Sequence, residues 1–156
     1  MTRLRTVAAL AAALLAVALT AGTACAQDGA KVLAERQDLM KQQGKDMKAV
    51  KDYIDGKGEL GPAQSAAADL TQTMAKIPAE FPKDTGMEQF PKSGAKPAIW
   101  TEWDKFLAAQ KTAAAKAEAL NAAFKGGDKA AITAAFGDLG KNGCGGCHEP
   151  FREKKT

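Results

Sequence analysis

The sequence predicts an all-α protein, an antiparallel up-down-up-down four-helix bundle, and three observations carry that prediction. Four segments show helical hydrophobic periodicity. Glycine pairs punctuate the chain after the first and third of them, at Gly56-Lys57-Gly58 and Gly126-Gly127. The composition is alanine-rich, with one tyrosine and few β-branched residues, which favours helix over sheet. Short links between consecutive helices make them antiparallel neighbours.

The first helix is expected from about Ala30 to Asp55, with Leu33, Met40, Met47 and Ile54 spaced by seven as a bundle seam. The second is expected over Pro62–Ile77, with Ala63, Ala66, Leu70, Met74 and Ile77 on one side. Pro62 suits a first turn and Pro78 blocks continuation. Residues 78–97 carry Pro78, Pro82, Pro91 and Pro97 with Gly86 and Gly94. They form a long crossover of a length that is uncommon and often functional. The third helix is expected over Ala98–Lys125, with Trp100, Trp103, Phe106, Leu107, Leu120 and Phe124 inward and both tryptophans in the core. Asp128 caps the fourth, which is expected to continue to Arg152 with Ile132, Ala135, Phe136, Leu139, Cys147 and Phe151 inside.

Chemistry concentrates at Cys144-Gly145-Gly146-Cys147-His148. Two thiols one helical turn apart, followed at once by an imidazole, form the spacing that attaches a c-type haem. Each thiol can form a thioether to a vinyl group, and His148 turns toward the iron. His148 is the single histidine of the chain. Three other readings compete with this one. A redox Cys-x-x-Cys expects a βαβ context, which is absent from the pattern. A zinc site lacks a fourth ligand and a second cluster. An incidental structural disulfide is the third. The motif favours one covalently attached haem c, with its iron, near the C-terminus of the bundle.

Residues 1–26 read as a cleaved signal peptide: Arg3 and Arg5, an apolar run over Val7–Leu19, and Ala24-Cys25-Ala26 before Gln27. The run is short for a membrane span, and Gly22-Thr23-Ala24 before Cys25 lacks the leucine of a lipobox. Residues 27–156, about 130 in number, form one cytochrome-sized domain without stable membrane insertion. Cleavage discards Cys25, so both remaining cysteines lie in the motif. Export to the periplasm and haem ligation outside the cytoplasmic membrane support each other. Arg3 and Arg5 account for two of the 22 basic residues, so the mature domain carries 20 against 18 acidic ones. A net charge of +2 gives no basis for nucleic-acid binding.

With one histidine, bis-histidine ligation within the chain is excluded. Met40, Met47, Met74 and Met87 survive cleavage. Met40 and Met74 fall toward the haem pole, and Met47 lies about 10 Å deeper along the first helix. Met87 is in the crossover. Each methionine is equally open to a plain packing role. Arg36, one turn before Met40, is either a solvated cation near Glu35 and Asp38 or a partner for a haem propionate.

The chain resembles the class II cytochromes c, the family of cytochrome c-prime and its low-spin, methionine-ligated relatives. The likeness is carried by Arg36-Gln37-Asp38-Leu39-Met40-Lys41 with Gly44 and Met47, and by Cys144 through Lys154. Phe81-Pro82 and Lys96-Pro97-Ala98-Ile99-Trp100 add to it. The resemblance implies His148 as proximal ligand, Met40 facing the iron on the distal side, and Arg36 and Gln37 near the haem and its propionates. It also matches Arg152 to a basic residue flanking the proximal histidine, and a homodimer through faces of the first helix is an open expectation from the same source.

On this basis the expected function is a periplasmic monohaem one-electron carrier with low-spin iron held by His148 and Met40. Its partners would be redox proteins, docking near Lys141, Arg152, Lys154 and Lys155. The alternative is a high-spin five-coordinate protein that binds nitric oxide or carbon monoxide. An enzyme such as a peroxidase is not expected, because a second, distal histidine is missing.

Overall fold

The computed structural model describes the backbone of residues 3–154 and the side chains of residues 28–154. The side chains of residues 1–26, where a signal peptide is expected, lie outside the described ones, as does Lys155. Six α-helices follow in order: α1 (Arg3–Ile54), α2 (Leu60–Lys76), α3 (Ala98–Thr101), α4 (Trp103–Gly126), α5 (Lys129–Asp138) and α6 (Gly146–Phe151). A 3₁₀ turn over Ile77–Glu80 extends α2, and a π-helical stretch over Leu139–Gly145 joins α5 to α6. Helix α1 packs on α2, α2 on α4, α4 on α5 and the π-helical stretch, and α5 back on α1. The four long elements thus close a ring, which is the expected four-helix bundle.

One pole is built from tight turns. Gly127 takes φ 74° after α4 and returns its N–H to the carbonyls of Ala123 and Phe124, a left-handed cap that a side chain would strain. Asp128 then caps α5 by accepting from Ala130 N at 2.9 Å. Tyr53 and Phe124 meet across this pole with ring centroids 5.7 Å apart. Alanines line the middle of the core, with Ala63, Ala67 and Ala117 fully buried beside Leu70, Leu120 and Ile132.

The predicted fourth helix differs from expectation. It is three segments rather than one, and the π-helical stretch reads Leu-Gly-Lys-Asn-Gly-Cys-Gly. Glycines hold a regular α-helix weakly, and a widened turn of this kind is frequent at functional sites. Gly143 also permits close approach to α4, since a Cβ there would come within 2.9 Å of Leu139 Cδ1 and 3.4 Å of Ala113 Cα. The third helix breaks once as well, at Glu102.

The seam of α1 is shifted. Leu33, Met40, Met47 and Ile54 are half-buried, while the buried positions are Arg36, Gln43, Asp46 and Val50. Hydropathy cannot reveal a buried stripe whose members are mostly polar. At the α1–α2 contact, Gln42 Nε2 donates to Asp46 Oδ1 at 2.9 Å. Burial, and then the neighbouring Asp69 carboxylate, push the Asp46 carboxyl up to about 6. Asp46 Oδ2 has no hydrogen-bond partner among the described residues, in keeping with the raised carboxyl.

Candidate haem-binding cleft

At the pole opposite the tight turns, the bundle opens into a cleft with about 700 Å³ of unfilled space, counted to its solvent-facing edge. The wall from α1 carries Arg36, Met40 and Gln43. The α2 end supplies Met74 and Ile77, and α4 supplies Phe106, Gln110 and Ala113. The C-terminal wall is Cys144, Cys147, His148, Phe151 and Arg152. Among the described residues, helices α1 and α6 make no close backbone contact with each other, yet both line the cleft.

The crossover forms the remaining side and is tied down at three places. Ala95 and Arg152 form an antiparallel bridge, with Lys96 N donating to Phe151 O at 3.0 Å and Glu153 N to Gly94 O at 2.8 Å. Trp100 Nε1 donates to the carbonyls of Phe81 and Pro82 at 3.1 and 3.0 Å. Arg36 is the third tie. It is 4% exposed and gives Nε to Glu80 O, Nη1 to Thr85 O and Ser93 Oγ, and Nη2 to Thr85 Oγ1, over distances of 2.6–3.0 Å. Its guanidinium also lies 4.1 Å above the Phe81 ring. Desolvation lowers its pKa to about 10, with the charge of Glu80 acting in the opposite direction. Four of the five guanidinium N–H bonds are therefore engaged by the crossover. The expectation of a solvated cation is corrected, because this cation is buried without a carboxylate within ion-pair distance among the described residues.

The motif side chains converge here in a form suited to a bulky apolar group. Cys144 and Cys147 are free and half-buried. Burial raises both thiols, and Cys147, next to Cys144, is pushed up to about 11. A redox Cys-x-x-Cys needs a low-pKa thiolate, so these neutral thiols argue against that reading. Burial, and then Arg152, lower the His148 pKa. A neutral imidazole keeps a lone pair for a metal. Arg152 Nη1 stands 3.5 Å from His148 Nδ1. The walls between are Ile77, Phe81, Ile99, Phe106 and Phe151, with Phe106 and Phe151 edge to face at 5.5 Å.

Two buried glutamines line the same cleft and differ in one respect. Gln110 Nε2 donates to Met74 O at 2.8 Å, a carbonyl whose i+4 donor is missing because residue 78 is proline. Gln43 Nε2 has no partner among the described residues, although Gln43 is 7% exposed. Leaving such a group dry and unpaired costs about 1–3 kcal/mol. The residues thus fit a large apolar cofactor with anionic edges. Such a cofactor would set apolar surface against the aromatic walls and would be held by the two thiols.

The structure brings Arg36, Met40, Cys144, Cys147 and His148 to one cleft. Gln37 is not among its lining, and its amide donates to Lys92 O at 3.3 Å. Of the four methionines, Met40 and Met74 line the cleft, whereas Met87 borders a shallow groove beside Trp100. The basic cluster at the chain end is interleaved with Glu149 and Glu153 around a groove outside His148. Sequence reasoning passed over Gln43, although its position three residues after Met40 places it on the same helix face. It also passed over Thr85 and Ser93, which carry no periodic signal.

A helical bundle with a Cys-x-x-Cys-His cleft near its C-terminus defines a c-type cytochrome of the helical-bundle class. The Cytochrome C' family profile matches residues 31–152, and the chain belongs to that family, with one covalently bound haem c per chain. It is 36% identical over 155 residues to the cytochrome c' of Rhodospirillum rubrum, covering 97% of this chain and 99% of that one. The solved cytochrome c' of Rubrivivax gelatinosus superposes with a TM-score of 0.67 at 31% identity, over 76% of this chain and 91% of that one. A nitric oxide complex of a cytochrome c prime variant from Alcaligenes xylosoxidans has a TM-score of 0.72 at 24% identity, over 81% and 97%, and bears on the fold.

These likenesses correct one expectation. The low-spin electron carrier with His148 and Met40 as paired ligands does not stand, because profile and relative alike are cytochromes c'. The cleft gives a physical reason. Met40 is a half-buried, unbranched side chain that shares the opening with Met74 and Gln43, and nothing in the wall singles out its sulfur.

Proposed function

We propose that this protein is a periplasmic cytochrome c' whose iron is held five-coordinate by His148 and binds nitric oxide or carbon monoxide on the opposite face. The observation that carries the reading is the one-sided donor set of the cleft. The α6 wall supplies the chain's single imidazole, and the α1 wall supplies Met40 between Arg36 and Gln43 with no second imidazole. Haem iron supplies a coordination site for a diatomic molecule together with a one-electron couple. The protein's part is to hold and shield that site. Cys144 and Cys147 anchor the macrocycle through thioethers, and His148 approaches from α6 as a neutral imidazole. The buried cation of Arg36 offsets propionate charge through its remaining N–H. Met40 would contribute an unbranched, adaptable side chain to the wall beside the bound haem. Gln37, outside the cleft lining, acts by holding the crossover at Lys92.

In this reading residues 1–26 are removed on export, and the mature domain starts at Gln27. The protein works as a carrier or scavenger of small ligands and electrons rather than as an enzyme. Redox partners meet it at the edge near His148, and two copies pair through α1. Among the described residues no helix is long and apolar enough to cross a membrane.

Optical spectra of the ferric and ferrous protein, with and without carbon monoxide, test the function. A high-spin spectrum that shifts on adding carbon monoxide is expected. A low-spin spectrum unmoved by the gas would overturn the proposal. Met40→Ala is expected to keep the spin state of the parent and to bind carbon monoxide more readily.

A further inference from the structure

The two glutamines of the cleft are unequal, and the inequality has a chemical use. Gln110 gives an amide N–H to the Met74 carbonyl at the end of α2, which also accepts from Ile77 N. Gln43 keeps its amide free, buried and lining the cleft on the α1 wall, one turn past Met40. His148 lines the same cleft from α6. A dry, unpaired donor in such a place is held for something that enters.

We propose that Gln43 Nε2 is the hydrogen-bond donor to a diatomic ligand on the face of the iron away from His148, and that it sets which ligands the cleft prefers. This rests on the gas-binding reading above. The ligand class is a small molecule whose outer atom accepts a hydrogen bond once bound. An amide N–H strengthens the hold on such a ligand in proportion to the negative charge on that atom. Met40 and the aromatic walls offer contact area but no donor. Arg36 gives four of its five N–H bonds to the crossover and keeps the last for a propionate, and Gln110 donates to Met74. Gln43 Nε2 is the amide of this wall that has no partner among the described residues.

The test compares the ferrous holoprotein with Gln43→Met, which keeps length and volume, and Gln43→Leu, which controls for shape. Carbon monoxide is the probe, read by its infrared stretching frequency and its dissociation rate. Thermal unfolding of the same samples is the second readout. Both variants are expected to raise the stretching frequency and to release the gas severalfold faster, up to about tenfold. Gln43→Met should leave the unfolding midpoint unchanged or higher, because it removes an unpaired donor. An unchanged frequency and rate in both variants would overturn the assignment while leaving gas binding intact. A marked drop in midpoint for Gln43→Met would also overturn it, since the amide would then have a partner within the protein. Failure of the unsubstituted protein to bind carbon monoxide would sink the gas-binding reading, and this inference with it.

Discussion

The two poles of the bundle solve opposite problems. At one, glycine turns and an aspartate cap close the helices with local contacts, and the Tyr53–Phe124 pair and an alanine-rich core join them. At the other, a crossover spanning residues 78–97 replaces a turn, the final helix widens, and Arg36, Gln43, Thr85 and Gln110 are all buried. The first pole is complete as it stands. The second holds polar groups whose purpose depends on what fills the cleft. A stable bundle needs only the first kind of ending, so the second marks where function was placed.

Substitutions should separate the poles by size of effect. Arg36→Leu breaks four hydrogen bonds, strands the carbonyl of Glu80 and leaves that of Thr85 with the Ser93 hydroxyl alone. A loss of about 3 kcal/mol is expected, read from the urea midpoint, with amide exchange rising first in the crossover. A loss confined to α1, with the crossover still protected, would show that the other ties suffice.

Asp46→Asn probes the flank of the site pole. The carboxyl is raised to about 6, above its unfolded value of about 4, so the native state holds the extra proton between these values. Stability contributed by this group is therefore present below about pH 4, declines as pH rises to about 6, and is absent above. The asparagine variant should lose that slope and gain about 2 kcal/mol at neutral pH. Parallel stability curves for the two proteins between pH 4 and 7 would contradict the assignment. The smallest effect belongs to the turn pole, where Asp128→Ala should cost about 1 kcal/mol by calorimetry and leave the optical spectrum untouched.

Much of this was legible in the residues themselves. Cys144, Cys147 and His148 announce their chemistry through spacing, and Gly127 and Asp128 mark a helix end and start through local backbone demands. What escaped is long-range and polar. The heptad Leu33, Met40, Met47 and Ile54 points to a seam, yet the buried stripe is offset to Arg36, Gln43, Asp46 and Val50. No periodic rule connects Arg36 to Thr85 or Ser93, because the partners share neither element nor spacing. The π-helical widening likewise has only its glycines as a signal. Placement in the methionine-ligated subgroup failed for a related reason, since a methionine in the right register is evidence of proximity and not of a bond.

The ties of Arg36 also set an order of events. They close chain loops of 44, 49 and 57 residues, whereas the Gly127 and Asp128 caps of the turn pole join residues two to four apart in sequence. Loop closure of that length is entropically costly. The crossover is therefore expected to close after the caps have formed, read as late amide protection over residues 78–97 during refolding. Until it does, the mouth beside Cys144 and Cys147 stays wide, which gives a rigid planar guest time to be loaded before the door shuts behind it.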